Sequence, residues 1–222
     1  MEERIPKELI KPTIRTYSTG AYIYEAGKPV RYIYFIVEGR IKIENISRTG
    51  KRISKSILSN GELFGEMALF GEVKRRDYAC ALDVTVIHIY TKEEIQRVLK
   101  IDEKFQSLLL NKMANRVINL EQKLTSLVFK DSRSRVINFL VQQGRKDGKR
   151  VGFDLLLKNF LSHQEIAYYT ATSRQTVSVV LNELKAQNII HYHRKRLLIR
   201  DMDKLEEKFN PRKSSNHQKI LP

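Results

Sequence analysis

Arg174 and Gln175 are side chains that can each make two parallel hydrogen bonds to one planar partner. In a DNA major groove, Arg matches the O6/N7 edge of guanine and Gln the N6/N7 edge of adenine. Both follow a helix-capping signal. Thr172-Ser173-Arg174-Gln175 has the T-x-x-Q form, and Ser162-His163-Gln164-Glu165 upstream has the S-x-x-E form, in which each end satisfies an orphan backbone N–H of the other. Two capped helices around a turn near Thr170-Ala171 predict a helix-turn-helix. On the second helix Val177, Val180, Leu181 and Leu184 form the packing side, and Arg174, Gln175, Ser178, Asn182 and Lys185 fall opposite. A solvated helix face is the commoner fate of such residues; here their place at the start of the second capped helix favours base reading. Ser162, His163, Thr172, Ser173 and Thr176, at the helix starts, complete the expected DNA-contacting set. Downstream, the run from Ile189 to Tyr192 can pair with Leu197-Leu198-Ile199 around the tip His193-Arg194-Lys195-Arg196. Arg194, Lys195 and Arg196 would then lie on phosphates, adding affinity without sequence information. His191 and His193 share one strand face but lack further ligands, so they read as structural or phosphate-facing and no metal site is expected.

A second constellation lies at Phe64-Gly65-Glu66-Met67-Ala68 and Arg75-Arg76-Asp77. Gly65 and the N–H groups after it open a short helix, which suits an anion. The bland alternative is a tight turn with a structural carboxylate. Cys80 is the only cysteine, so neither a disulfide framework nor a four-thiolate iron–sulfur cluster can form within the chain. No His stands out as a haem ligand. Nucleophile–base pairs, metal-ligand spacings and Walker-type loops are missing, and no enzymatic activity is expected.

These groups need a scaffold. From Tyr17 to Tyr90 the chain alternates β-branched and aromatic runs (22–24, 32–37, 41–43, 54–58, 85–90) with turns at Gly27, Gly39, Gly50, Asn60-Gly61 and Gly71, as in an all-β barrel or sandwich. Thr91 can cap a short helix to about Lys100, with Glu93-Glu94 in its first turn. Beyond Asp102 a long helix carries Leu110, Met113, Val117, Leu120, Leu124 and Leu127 at alternating spacings of three and four. So narrow a stripe usually faces a partner helix; packing on the chain's own roll is the alternative, and one helix can do both. Asp131 can cap a helix to about Lys146, buried through Val136, Ile137, Leu140 and Val141. Residues 144–150 read as a loop, and 151–157 as a short strand. The predicted organisation is α+β: a sensor β-domain over 1–101, a dimerisation helix over 102–130, a winged helix-turn-helix over 131–203, and a basic tail over 204–222 expected to be disordered.

The 222 residues suit two modest domains with real cores. The net charge is +16: 23 basic against 16 acidic residues over 1–130 leave +7, and 18 against 9 over 131–222 leave +9. The denser positive charge is C-terminal, which suggests a polyanionic partner, although general solubility explains charge equally well. No apolar run approaches the roughly 20 residues of a membrane span, and the N-terminus lacks a secretory layout, so a reducing cytoplasm is the expected location.

The order of parts, from roughly Tyr17 to Asp201, resembles the bacterial cAMP receptor protein/fumarate–nitrate regulator (CRP/FNR) family. The similar residues are Gly39-Arg40-Ile41-Lys42, the run from Asn60 to Leu69 and Lys74-Arg75-Arg76. In the other half they are the run from Leu161 to Ala167 and, more specifically, Ser173-Arg174-Gln175-Thr176-Val177-Ser178. The resemblance implies a β-roll (a double-stranded β-helix), a long dimer helix and a winged helix. It further implies a homodimer on a pseudo-palindromic duplex, with recognition helices about 34 Å apart, and RNA polymerase as a partner. The family's cyclic-nucleotide cassette falls on Phe64 to Asp77, where Glu66 would accept from the ribose and Arg76 would pair with the cyclic phosphate. Three departures follow from the same alignment. Asp77 stands where cyclic-nucleotide binders carry a Ser or Thr donor, and a carboxylate repels phosphate. Leu120-Glu121 replace the adenine-facing Thr-Ser pair. Ala171 stands where the turn usually has Gly, at a cost of roughly 1 kcal/mol if φ is positive. The expected effector is therefore a small molecule other than cAMP, such as another anion held near Arg75 and Arg76. The alternative is a constitutively DNA-competent dimer whose roll binds no ligand.

Overall fold

The computed structural model describes residues 11–209, and the chain divides into two compact units between Glu121 and Gln122. The first unit carries β1 (Thr13–Tyr17), β2 (Tyr22–Tyr24), β3 (Tyr32–Glu38), β4 (Ile41–Ile46), β5 (Arg52–Leu58), β6 (Leu63–Phe64), β7 (Tyr78–Ala81) and β8 (Thr85–Thr91). They form two antiparallel sheets, ordered β1-β8-β3-β6 and β2-β7-β4-β5. Extra residues in β2, β3 and β5, where the register shifts, add the local twist that curls such sheets into a roll. Strand β3 shows why the sequence chooses this layering. Tyr34 and Ile36 join Ile41, Ile43, Leu58, Phe64, Ala79 and Ile87 in one cluster, while Ile33 and Phe35 turn to the other face. There they meet Ile95 and Val98 of α1 (Lys92–Ile101) and Phe105 and Leu109 of α2 (Glu103–Phe129). A strand buried on both faces reads as a continuous apolar run, as 32–37 does.

Gly39, between β3 and β4, has φ +90, and a Cβ there would come within 2.5 Å of the Val84 carbonyl oxygen. Only glycine fits. Thr91 caps α1 through a complete capping box with Glu94, as expected. Asp102 opens α2 by accepting from the Phe105 N–H at 2.9 Å. Helix α2 has 27 residues and is thus about 40 Å long. Among the described residues no helix is long and apolar enough to cross a membrane.

In the second unit Asp131 caps α3 (Ser132–Asp147) by accepting from Ser134 N–H at 2.6 Å. Then follow β9 (Lys149–Val151), β10 (Asp154–Leu157), α4 (His163–Thr170), α5 (Arg174–Ala186), β11 (Ile190–His193), β12 (Arg196–Ile199) and α6 (Met202–Phe209). The four strands form one antiparallel sheet in the order β11-β12-β10-β9. A row of rings crosses this unit. Tyr169 of α4 lies 5.1 Å from Phe139 of α3, Phe139 6.2 Å from Phe160, Phe160 6.4 Å from Tyr192 of β11, and Tyr192 5.2 Å from His163. Lys123 of α2 places its ammonium 3.9 Å above the Tyr169 ring, and burial pushes that amine down to about 8.

Four expectations need correction here. Gly144 lies inside α3, not in a loop: a Cβ would come within 2.7 Å of Ile199 Cδ1, so glycine lets β12 approach the helix. Residues 149–157 form a hairpin turning at Gly152-Phe153 rather than a loop and one strand. Residues 204–209 belong to α6, whose Leu205 is fully buried, so the second unit runs past 203. Residues 210–222 of the expected tail lie outside the described residues. Lastly, α5 is capped by Ser173 rather than Thr172: Ser173 Oγ accepts from Thr176 N–H at 3.0 Å, so Gln175 is free of any capping duty to Thr172.

Candidate nucleic-acid interface and effector pocket

The helix-turn-helix is built as its residue types require. Ser162 Oγ accepts from the Glu165 N–H at 3.2 Å and starts α4. The helix ends where Ala171 takes the left-handed conformation, φ 50 and ψ 51, and the Ala167 carbonyl receives the N–H groups of both Ala171 and Thr172. The positive φ expected of this turn is therefore present, on a residue with a Cβ. Arg135 of α3 donates to the carbonyls on this turn, Nε to Thr170 at 2.8 Å and Nη2 to Ala171 at 3.0 Å.

Helix α5 divides as expected. Val177, Val180, Leu181 and Leu184 are buried, and Arg174, Gln175, Asn182 and Lys185 are exposed, with Thr176 and Ser178 half-buried. One residue on the open face escaped sequence reasoning. Val179 is 49% exposed, one turn beyond Gln175 and beside Asn182, where an apolar side chain can meet a thymine methyl. Its spacing from Gln175 and Asn182 is the signal available in the sequence, and its apolar side chain hides it among residues singled out for polar groups. His163 and Ser178, like Thr172 and Thr176, are half-buried. His163 Nδ1 lies 2.8 Å from Ser178 Oγ, which itself donates to the Arg174 carbonyl at 3.1 Å. The His163 Nε2 is buried without a hydrogen-bond partner. Burial, and then the Arg174 charge, holds the imidazole below its usual pKa. His163 therefore acts as a bracket from α4 to α5 and to Tyr192.

The wing pairs Ile190 with Ile199, Tyr192 with Leu197 and His193 with Arg196 around Arg194-Lys195. Arg194 has φ 53, and the Lys195 carbonyl accepts from Phe160 N–H at 2.7 Å, which pins the tip. Arg194, Lys195, Arg196, His191 and His193 are exposed. Among the described residues no cluster of His, Cys, Asp and Glu could hold a metal ion.

In the roll, Phe64 and Ala68 are buried, Met67 is 42% exposed, and Glu66 opens a 3-10 turn over Glu66–Phe70. Gly65 (φ +78) leaves room that a Cβ would contest with Tyr34 and Arg75, both 3.0 Å away. The inward arginine is Arg75, and the expectation for Arg76 needs correction. Arg75 is 4% exposed and lies against the rings of Tyr24 and Tyr34. Arg76 points out, its side chain 81% exposed and paired with Glu72 at 3.3 Å. The Arg75 guanidinium lies 4.3 Å above the Tyr24 ring and donates to the carbonyls of Gly65 and Tyr32. Tyr34 stacks on Phe64 with centroids 4.9 Å apart, and Tyr24 is tilted against both at 5.7 and 6.1 Å. Asp77 accepts from Tyr24 Oη at 3.2 Å and pairs with Lys55 at 2.9 Å. Burial raises the Tyr24 phenol, and the Asp77 charge adds to the shift.

Glu66 is buried, and its carboxylate meets a residue outside the expected set. Arg116 of α2 pairs with Glu66 Oε1 and donates to the Leu63 carbonyl at 3.2 Å, while Glu66 Oε2 has no hydrogen-bond partner. Leu120 and Glu121, one turn further along α2, are exposed. So are Leu110, Val117 and Leu124, at 64%, 53% and 64%; Met113 and Leu127 are half-buried.

Residues 14–102 match the family described as Cyclic nucleotide-binding domain, and residues 134–208 the family described as Crp-like helix-turn-helix domain. The chain is 24% identical over 208 residues to a Global nitrogen regulator from Synechocystis sp., covering 93% of this chain and 92% of that one. It is 27% identical over 196 residues to a Cyclic AMP receptor protein from Thermus thermophilus, covering 83% and 86%. Its fold is similar to that of FixK2 from Bradyrhizobium japonicum, with a TM-score of 0.78 at 22% identity over 89% of this chain and 97% of that one. A roll of the first kind, a long helix and a winged helix of the second kind, in that order, make this chain a member of the CRP/FNR family of transcription regulators.

Proposed function

We propose that the protein works as a homodimer that reads a pseudo-palindromic duplex with two copies of α5, gated by a small molecule other than cAMP. The observation that carries this reading is the two-faced α5. Its buried valines and leucines fix the helix on α3 and α4, and Arg174, Gln175, Val179, Asn182 and Lys185 stay open to a groove. The exposed stripe from Leu110 to Leu124 supplies the surface on which a second copy of α2 would pack. The roll to 101, the connecting helix over 102–130 and the reader from 131 then act as sensor, joint and output, with RNA polymerase as the downstream partner. Asp77, bonded to Tyr24 and Lys55, and the rings packed under Arg75 argue against a cyclic nucleotide in the roll.

A second reading also has an observation behind it. Arg75 and Glu66 already have partners within the chain, as they would in a roll that needs no ligand to hold its shape. Operator selection from random duplex with ligand-stripped protein, at a stated salt concentration, separates the two. Under the gated reading, stripped protein enriches nothing until an extract fraction supplies the effector. Enrichment of a two-fold symmetric site by the stripped protein would establish the constitutive reading instead.

A further inference from the structure

We propose that Arg135 is a positioning residue for DNA reading, clamping the turn ahead of α5 to the end of α2. The inference rests on the DNA-reading function above and adds a residue outside the expected contact set. Arg135 sits in the first turn of α3, half-buried, and its guanidinium meets three backbone carbonyls from two places in the chain. Nε and Nη2 take Thr170 and Ala171, and Nη1 takes Lys130, the residue after α2, at 2.8 Å. Nη2 also reaches Ser132 Oγ at 3.2 Å.

Each bond has a physical reason. Thr170 ends α4 and Lys130 follows the end of α2, so these carbonyls lie at helix C-termini, where orphan acceptors and the negative dipole end favour a cation. Ala171 carries a Cβ in a left-handed conformation, and charged donors on both sides of it hold the turn there without glycine's freedom. Only a planar fork can reach carbonyls on two segments together; a lysine ammonium would hold one at a time. The direction in which α5 leaves the turn is thereby referred to the α2–α3 junction as well as to the α4 packing.

The test compares binding to a selected operator and to random duplex of equal length, with melting temperature measured in parallel. For Arg135→Gln we expect operator affinity to fall on the order of 30-fold, as for lost charge-assisted bonds, and random-duplex affinity to change less than about threefold. Arg135→Lys, which keeps the charge and folds more readily, should show an intermediate loss of discrimination. Adding Ala171→Gly to Arg135→Gln should restore the melting temperature but leave discrimination low. Full discrimination in Arg135→Gln, or its complete return with Ala171→Gly, would reduce Arg135 to a stabiliser of the turn and overturn the proposal. A wild-type protein that discriminates between no two duplexes would remove the DNA-reading function and this proposal with it.

Discussion

Replacing Arg116 by Met tests whether the roll and the long helix are joined through one buried ion pair. The Glu66 side chain is 4% exposed, and Arg116 is its only ion-pair partner among the described residues. Glu66 Oε2 makes no hydrogen bond, so Arg116→Met strands a buried carboxylate. Breaking a fully buried pair this way costs about 3–5 kcal/mol. Arg116 is itself 29% exposed, and the solvent this admits lowers the expected loss to about 2–3 kcal/mol. Glu66→Gln removes the charge with its need for a counter-ion and should cost about 1 kcal/mol, the net worth of a hydrogen bond. The double variant Glu66→Gln/Arg116→Met should then be more stable than the sum of the single losses predicts, by about 1–2 kcal/mol. Urea unfolding followed by circular dichroism measures all three, with unchanged slopes confirming that the same surface unfolds. Losses that add to within about 0.5 kcal/mol would show that the two side chains are merely neighbours, and would refute the coupling.

Three further outcomes follow from the reader and the helix. Arg174→Ala should cost about 1–3 kcal/mol on a selected site and relax preference at one base pair, whereas Lys195→Ala should weaken all sequences alike and flatten the salt slope; competition binding distinguishes them. Val117→Glu or Leu124→Glu, placed on the exposed stripe of α2, should yield monomers in sedimentation equilibrium with the fold retained by circular dichroism. His163 is held below its usual pKa, so its contribution is present above the unfolded value of about 6.5 and is lost as pH falls from there through the folded value. Thermal unfolding should accordingly show stability declining on that acid side, and His163→Gln should remove this part of the slope.

The elements that were legible in the sequence are those whose side chains report burial directly. The strand run from Tyr32, the Thr91 and Asp131 caps and the four apolar positions of α5 could be read from residue type and spacing alone. Strand β7 was missed because Tyr78-Ala79-Cys80-Ala81 carries small residues where a strand usually advertises branched ones. Which of Arg75 and Arg76 turns inward is equally hidden, because the two precede β7 in irregular backbone where no strand period fixes the facing. Ser173 displaced Thr172 as the cap because two adjacent hydroxyl residues are equivalent as sequence, and only the backbone decides which has the extended conformation. Arg116 and Arg135 were invisible for a different reason. Their partners lie 50 and 35 residues away, and no local pattern encodes such a meeting.

The row of rings has a consequence for anyone building chimeric regulators from this chain. It starts on Tyr169 beneath the Lys123 ammonium and passes through Phe139, Phe160 and Tyr192 to His163, which bonds the recognition helix. A splice at Asp131, where the capping signal invites one, would strip Lys123 from the first ring and Lys130 from Phe209. The transplantable cassette begins before Lys123, and it takes the last turns of the long helix with it.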